Sequence, residues 1–456
     1  FIKSNNKIIF SISEKEILKK FKKIKITKKF LNFYLNAHRQ IAYLPFNGID
    51  QKINRLPSGI GLVINKNHKF SYELYAKKNT YFYKKNFHAY NLIIDKILQS
   101  YNKNIKKKIT LMFSGGMDST VLFGKAIENK MNFKTLFFNR AFNLNICEMM
   151  VKYLSKKFKI SSKIISNQGD NLKKYHIFND KKLSYHYNIS GSVKELIYQN
   201  NYKKNSVYMS GQHADTLYYI DTFAPNTYQI TFKRLFNVFK TIHMRFFYSN
   251  FFLKIISNNM ILKILEINKK NFLINKFNYL ISSEKEHVSW FYKSKNDIIK
   301  TDKYRERYFF KPLLKMLNIK DLNKLNFIQL YEIISLIKWL RFVANVQLYF
   351  TEIGNCYKSN FITPFAEGPL VNYFQNNHVD LKETIFIKPY QQKIIKKTLG
   401  FNFLFKQIIL RITVFFTKKY RLMLKKNMIT IKTNNNLNLI SEIILKKIKK
   451  LKYFDF

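Results

Sequence analysis

Seven consecutive residues, Ser114-Gly115-Gly116-Met117-Asp118-Ser119-Thr120, are of types and spacing that could do chemistry. Two adjacent glycines let backbone N–H groups close on an anion, and hydroxyls at 114, 119 and 120 add donors. The apolar run Ile109-Thr110-Leu111-Met112-Phe113 precedes them, and Val121-Leu122-Phe123-Gly124-Lys125-Ala126 follows. The segment therefore reads as strand, small-residue loop, helix, with the positive end of the helix directed at the same anion. Asp118 would repel a phosphate unless a cation lies between them, so the loop implies a nucleotide held together with Mg²⁺. It is not a Walker A loop, because no Gly-Lys-Ser/Thr follows, and it lacks the Gly-x-Gly-x-x-Gly spacing of dinucleotide sites.

Such a loop needs a sheet to carry it. Thr135-Leu136-Phe137-Phe138 reads as the next strand, Ile146 to Lys159 as a helix, and Ser206-Val207-Tyr208-Met209 as a strand that stops at Ser210-Gly211. Alternation of this kind predicts an α/β fold, a parallel sheet with helices on both faces. Tyr90, Ile93, Ile94, Ile97, Leu98 and Tyr101 recur three or four apart, which predicts an amphipathic helix over Tyr81–Tyr101 leading into that domain. Residues 1–75 read as short strands and loops, with β-rich runs at Lys7–Ile12 and Gly59–Ile64 and a turn at Asn54–Gly59. After residue 230 the chain is expected to be mostly helical, and residues 401–456 to form a basic helical tail.

Composition bounds the function. The 456 residues are 46% hydrophobic, with 44 Phe and 30 Tyr, enough to bury a large core and to exclude disorder over most of the length. Cys147 and Cys356 are too few for a disulfide scaffold or a four-cysteine metal site, and they suit a reducing, cytoplasmic compartment. Cys147 lies in a helical run and is expected to be a buried structural thiol. The net charge is +54, yet only ten of the 81 basic residues are arginines, which leaves 71 lysines beside abundant Asn, Ile, Phe and Tyr. These are residues of A/T-heavy codons, so the charge reads as compositional drift and not as a nucleic-acid partner surface, which would favour bidentate arginine. No membrane partner is expected either: Phe401–Phe416 is broken by Lys406, Gln407 and Arg411 and falls short of the roughly 20 residues that span a bilayer. Phe1 to Ser13 lacks the pattern of a signal peptide.

Ser-Gly-Gly-x-Asp-Ser/Thr is the signature of the PP-loop ATP pyrophosphatases, and the chain resembles one branch of them, the asparagine synthetase family. Leu44-Pro45-Phe46-Asn47-Gly48-Ile49 with Asn54-Arg55-Leu56-Pro57-Ser58-Gly59 resembles the segment that joins the family's glutaminase and synthetase domains. Ser210-Gly211-Gln212-His213-Ala214-Asp215-Thr216-Leu217 resembles its second motif, Ser-Gly-Glu-Gly-Ala-Asp-Glu-Leu. Thr363-Pro364-Phe365-Ala366-Glu367-Gly368-Pro369-Leu370-Val371 resembles its Pro-Phe-Leu-Asp-x-x-Leu-Val segment, and Lys388-Pro389-Tyr390 opens a helix to Leu399 where the family has a lysine before a helix. The resemblance covers residues 7 to 400 in order. It implies three parts: a remnant of a glutaminase-like domain at 1–75, an ATP pyrophosphatase domain at 76–400, and the tail.

Carried over residue by residue, the resemblance gives Ser114, Gly115, Gly116, Ser119 and Thr120 the pyrophosphate of ATP. Asp118 and Asp215 would share Mg²⁺, and Leu111, Phe138, Ser210 and Gly211 would line the adenine and ribose pocket at the strand ends. Lys388 would balance charge developing at the α-phosphate. The implied reaction is adenylation of a small-molecule or peptide carboxylate with release of pyrophosphate, then transfer to ammonia, glutamine-derived ammonia or an amine with release of AMP.

Two departures bear on the substrate. The family's glutaminase domain begins with a catalytic Cys, whereas here the first cysteine is Cys147: either the front of that domain lies outside this sequence, or the protein does not make its own ammonia and a separate glutaminase partner supplies it; a homodimer is another expected assembly. Gln212 and Thr216 stand where the second motif has glutamates, and an amide cannot act as a base. Such loosening resembles the lasso-peptide cyclases, which close a macrolactam, and makes aspartate a less expected acid. His213 is expected to be a polar loop residue facing solvent, or else a ligand. His213-Ala214-Asp215 also resembles a stretch of the tRNA lysidine synthases, which keeps a tRNA-modifying enzyme open, and a non-catalytic nucleotide-binding relative stands as a third alternative.

Overall fold

The computed structural model describes residues 1–4, 7–11, 17, 53–56, 60–67, 69–74, 87–139, 145–166, 206–214, 311–321, 324–325, 347, 350–351, 354, 358–376, 389–400, 402–403 and 405–406. The chain starts with two antiparallel hairpins. β1 (Ile2–Ser4) pairs with β2 (Lys7–Ile9), and β3 (Ile60–Ile64) with β4 (Phe70–Leu74). An Ile2–Ile53 bridge and the Asn54 N–H donating to Phe1 O at 2.7 Å tie the first hairpin to residues 53–54. Phe1 meets Phe70 edge-on at 5.2 Å, so the two hairpins share an aromatic contact. Of the expected turn at Asn54–Gly59, residues 57–59 lie outside the described residues.

α1 (Phe87–Asn104) buries Tyr90, Ile94, Ile97 and Leu98, the stripe that its three-and-four spacing predicts; residues 81–86 of the expected helix lie outside the described residues. It leads into β5 (Ile109–Met112). α2 (Met117–Glu128) then connects β5 to β6 (Phe133–Asn139), and α3 (Asn145–Lys157) comes before β7 (Ser162–Ser166). With β8 (Val207–Ser210) and β9 (Asn360–Ile362) these strands form one five-stranded sheet in the order β7-β6-β5-β8-β9, and every pairing is parallel. The architecture is α/β.

Central strands of a parallel sheet are covered on both faces, so they read as continuous apolar runs and not as alternation. β5 and β8 obey this. Ile109, Leu111, Phe137, Val207 and Met209 enter the main core, which also takes residues of α1, α2 and α3. Leu136, Ile165 and Tyr208 form a second buried cluster. There Tyr208 stacks on Phe361 at 5.2 Å, and Phe361 on Phe350 at 5.1 Å.

Three later α-helices, α4 (Lys311–Met316), α5 (Gly368–Asn376) and α6 (Pro389–Leu399), and a 3-10 turn at Pro364–Ala366 complete the described elements. α6 packs on α2 where Gly124 admits it, since a β-carbon at Gly124 would stand 2.3 Å from Thr398 Oγ1. α1 is pinned to the end of α2 by a wholly buried Lys125, whose Nζ lies 2.9 Å from Asp95 and 2.6 Å from Glu128. Asn129 Nδ2 donates to the same Asp95 at 2.9 Å, which satisfies the second carboxylate oxygen. Among the described residues, no helix is long and apolar enough to cross a membrane.

Candidate active site

The order of the strands reverses at β5: the chain proceeds to β6 and β7 on one side, whereas β8 and β9 lie on the other. In open α/β sheets, the crevice beyond the C-terminal ends of the two strands at such a reversal is the usual place for a ligand. Here those strands are β5 and β8, and Met112 and Ser210 are register partners at their ends. The Ser114–Thr120 loop leaves β5, and Ser210-Gly211-Gln212-His213 leaves β8. The two motifs read from the sequence are thus brought side by side.

The first loop is built from the core outwards. Phe113, at the end of β5, stacks on Phe123 of α2 with centroids 4.7 Å apart, which staples the two flanks of the loop from below. Gly115 turns the chain at φ +70 and lies so close to α3 that a β-carbon would stand 2.8 Å from Cys147 O. Gly116 is the N-cap of α2 and supplies no side-chain cap, so that duty does not occupy the first-turn amides. Ser114 is exposed; its Oγ accepts from Gly116 N at 3.2 Å and lies 3.0 Å from Ser119 Oγ. Ser119 Oγ also donates to Gly116 O at 3.1 Å.

The side chains of Ser119, Thr120 and Leu111 are buried. Thr120 is wholly buried and donates its hydroxyl to Gly116 O at 2.8 Å, so it shapes the loop from inside. Leu111 is wholly buried in the main core, the cluster that also takes residues of α1, α2 and α3. Asp118 is half-buried in the first turn of α2, where the helix dipole favours a carboxylate. Phe138 is described by its backbone alone, paired with Ile165 near the end of β6. Asp215 and Lys388 lie outside the described residues, although the helix that Lys388 was read to open is present as α6, Pro389–Leu399.

The second loop rests directly on the first. A β-carbon on Gly211 would stand 2.9 Å from Ser119 N and 3.1 Å from Asp118 C, so only glycine lets the β8 loop lie on the first turn of α2. Ser210 Oγ accepts from Gln212 N at 3.3 Å and steadies the turn. His213 corrects an expectation: it does not face solvent. It is 7% exposed, its backbone is left-handed at φ +76, and its Nε2 is buried without a hydrogen-bond partner. Burial pulls its pKa down to about 3 and keeps the ring neutral. The usual residue at this place in the resembled motif is Gly, which is the sequence signal for a positive φ.

Two further features lie beyond the motifs. The backbone of Cys147 forms part of the wall behind Gly115, and its thiol is half-buried, a less enclosed position than expected. In the Pro364-Phe365 segment, Phe365 is wholly buried and Glu367 accepts a hydrogen bond from Tyr101 OH, joining that segment to α1. Burial and the Glu367 carboxylate together hold the Tyr101 phenol protonated, far above its ordinary pKa.

The donor set fits a nucleotide phosphate: glycine amides, an exposed serine, and a helix start with no side-chain cap. It also fits Mg²⁺, which binds through one or two carboxylates with phosphate oxygens and water and needs no protein cage. Among the described residues no three His, Cys, Asp or Glu side chains cluster as a metal set, and Asp118 is the carboxylate in the first turn of α2. A scan against protein-family models finds no match for the chain, and neither does a search of curated proteins.

Proposed function

We propose that the chain is an AMP-forming carbon–nitrogen ligase of the PP-loop kind, similar to the asparagine synthetases. One observation carries this reading: the Ser-Gly-Gly-x-Asp-Ser loop and the Ser-Gly loop meet at the strand-order reversal, with Gly211 against Ser119. Walker A and dinucleotide loops differ in sequence, and the paired loops of this motif suit a bound ATP whose pyrophosphate leaves as a unit.

In this reading the amides of Gly115 and Gly116, with Ser114 and Ser119, hold the pyrophosphate end. Asp118 and Asp215 would hold Mg²⁺, which neutralises phosphate charge when bound. Thr120 and Leu111 act from behind, the one fixing the Gly116 carbonyl and the other anchoring β5. Ser210, Gly211 and Phe138 stand on the nucleoside side, and Lys388, just before α6, is the candidate cation for charge developing at the α-phosphate. The acid activated is a small-molecule or peptide carboxylate, and Gln212 in place of a carboxylate favours an amine that needs no base at that position.

The test is product analysis. Incubation with Mg·ATP and a panel of carboxylates, with and without ammonia, glutamine or amines, should yield AMP and pyrophosphate only when a suitable acid is present. Asp118→Ala should lower that rate by at least about a hundredfold while leaving the melting curve unchanged. Release of ADP and phosphate instead, or parent-rate pyrophosphate release from Asp118→Ala, would overturn the assignment.

A further inference from the structure

His213 carries two unfavourable features at once. Its backbone lies at φ +76, a region that a β-carbon disfavours, and its Nε2 is buried and unpaired. Neither is needed to close the turn. Glycine would adopt this φ without strain, and an apolar ring would fill the space without leaving a nitrogen unpaired. Strain and an unsatisfied polar atom that persist together are a mark of function when they fall beside a ligand site.

The placement is of that kind. Gly211, two residues earlier, lies so near Ser119 N that a β-carbon would not fit between them, so the β8 loop packs directly against the anion cradle. In that loop His213 Nε2 is a buried polar atom without a partner, and a phosphate oxygen in the adjoining cradle is a partner it would gain.

Resting on the nucleotide reading above, we infer that His213 is the residue through which the β8 loop responds to an occupied cradle. The imidazole leaves its buried position, and Nε2–H donates to a phosphate oxygen of the bound nucleotide. His213 thereby adds a contact that a glycine at this place could not make. It ties the placement of the His213 ring to nucleotide occupancy.

Calorimetric titration of Mg²⁺ with a non-hydrolysable ATP analogue into the parent, His213→Gly and His213→Asn tests this, with a thermal melt of each nucleotide-free protein. His213→Gly should melt higher than the parent and bind the analogue at least about tenfold more weakly. His213→Asn, which tolerates left-handed backbone and keeps an N–H, should fall between them. A glycine variant that melts higher and binds like the parent overturns the inference and leaves the ATP reading standing. A folded parent that does not bind the analogue overturns both. Should the glycine variant fail to fold, ¹⁵N-histidine spectra of the parent decide: the His213 ring signal should shift as the analogue saturates, and an unmoved signal at saturation overturns the inference.

Discussion

At Gly115 and Gly116 the same residue type does two different jobs, and substitution separates them. Gly115→Ala meets a left-handed φ of +70 and the backbone oxygen of Cys147 at 2.8 Å, an atom that cannot swing aside. Left-handed strain alone costs roughly 1–2 kcal/mol, so the whole change should cost about 2 kcal/mol or more in a urea unfolding experiment. Gly116→Ala meets only Ser114 Oγ at 3.2 Å from an ordinary φ of −75, and should cost under about 1 kcal/mol. Equal costs would mean that the close approach to α3 is not what sets the loop. Gln391 is a different kind of case: it is wholly buried in α6, and neither its Oε1 nor its Nε2 has a partner. Gln391→Met removes two unsatisfied groups at similar volume, so it should leave stability unchanged or raise it by about 1 kcal/mol. A clear loss on denaturation would reveal a partner that the amide needs.

Between elements, the α2–α6 contact is where the loop-bearing helix is most closely fitted. Gly124→Val would drive a branched side chain into Thr398, whose Oγ1 is itself held by Ile394 O at 2.9 Å. The expected cost is about 1–3 kcal/mol, and adding Thr398→Ala should recover part of it. Additive costs in that double-mutant cycle would show that the helices do not meet through this pair. The same elements differ in how far their own residues announce them. β5, its loop and α2 are legible because an apolar run stops abruptly at small residues, and α6 because Pro389 marks its first turn. β7 and β9 are not: Ser-Lys-Ile-Ile-Ser offers two apolar residues, and Asn-Phe-Ile is three residues long. Both are edge strands of the sheet, defined by their neighbours more than by their own pattern. Of the region after residue 230 that reads as mostly helical, α4, α5 and α6 are described together with the short strand β9, and the remainder, like most of the basic tail, lies outside the described residues. In the site, residue types gave the loops, but they could not give side-chain direction. That is why the burial of the Thr120 and Leu111 side chains was not legible, and why a polar histidine expected to face solvent proved to be buried.

Across the whole molecule, a net charge of +54 is a standing repulsion that folding must overcome. Raising salt from about 20 mM to about 300 mM shortens the Debye length from roughly 20 Å to under 10 Å, so the thermal midpoint should rise by about 2–4 °C. A midpoint that falls would mean that attractive pairs outweigh the repulsion. Any binding of tRNA that is only charge-driven should vanish over the same range, whereas a tRNA-modifying enzyme would retain a preferred substrate. Lys125 gives this lysine-rich chain an internal reporter. It is wholly buried between Asp95 and Glu128, while many of its fellow lysines stand in solvent. An amine-reactive reagent should therefore modify the surface within minutes and leave Lys125 intact until α1 and α2 separate. The peptide that carries it becomes a clock, and its slow labelling, read by mass spectrometry, measures how often the helix behind the loop lets go.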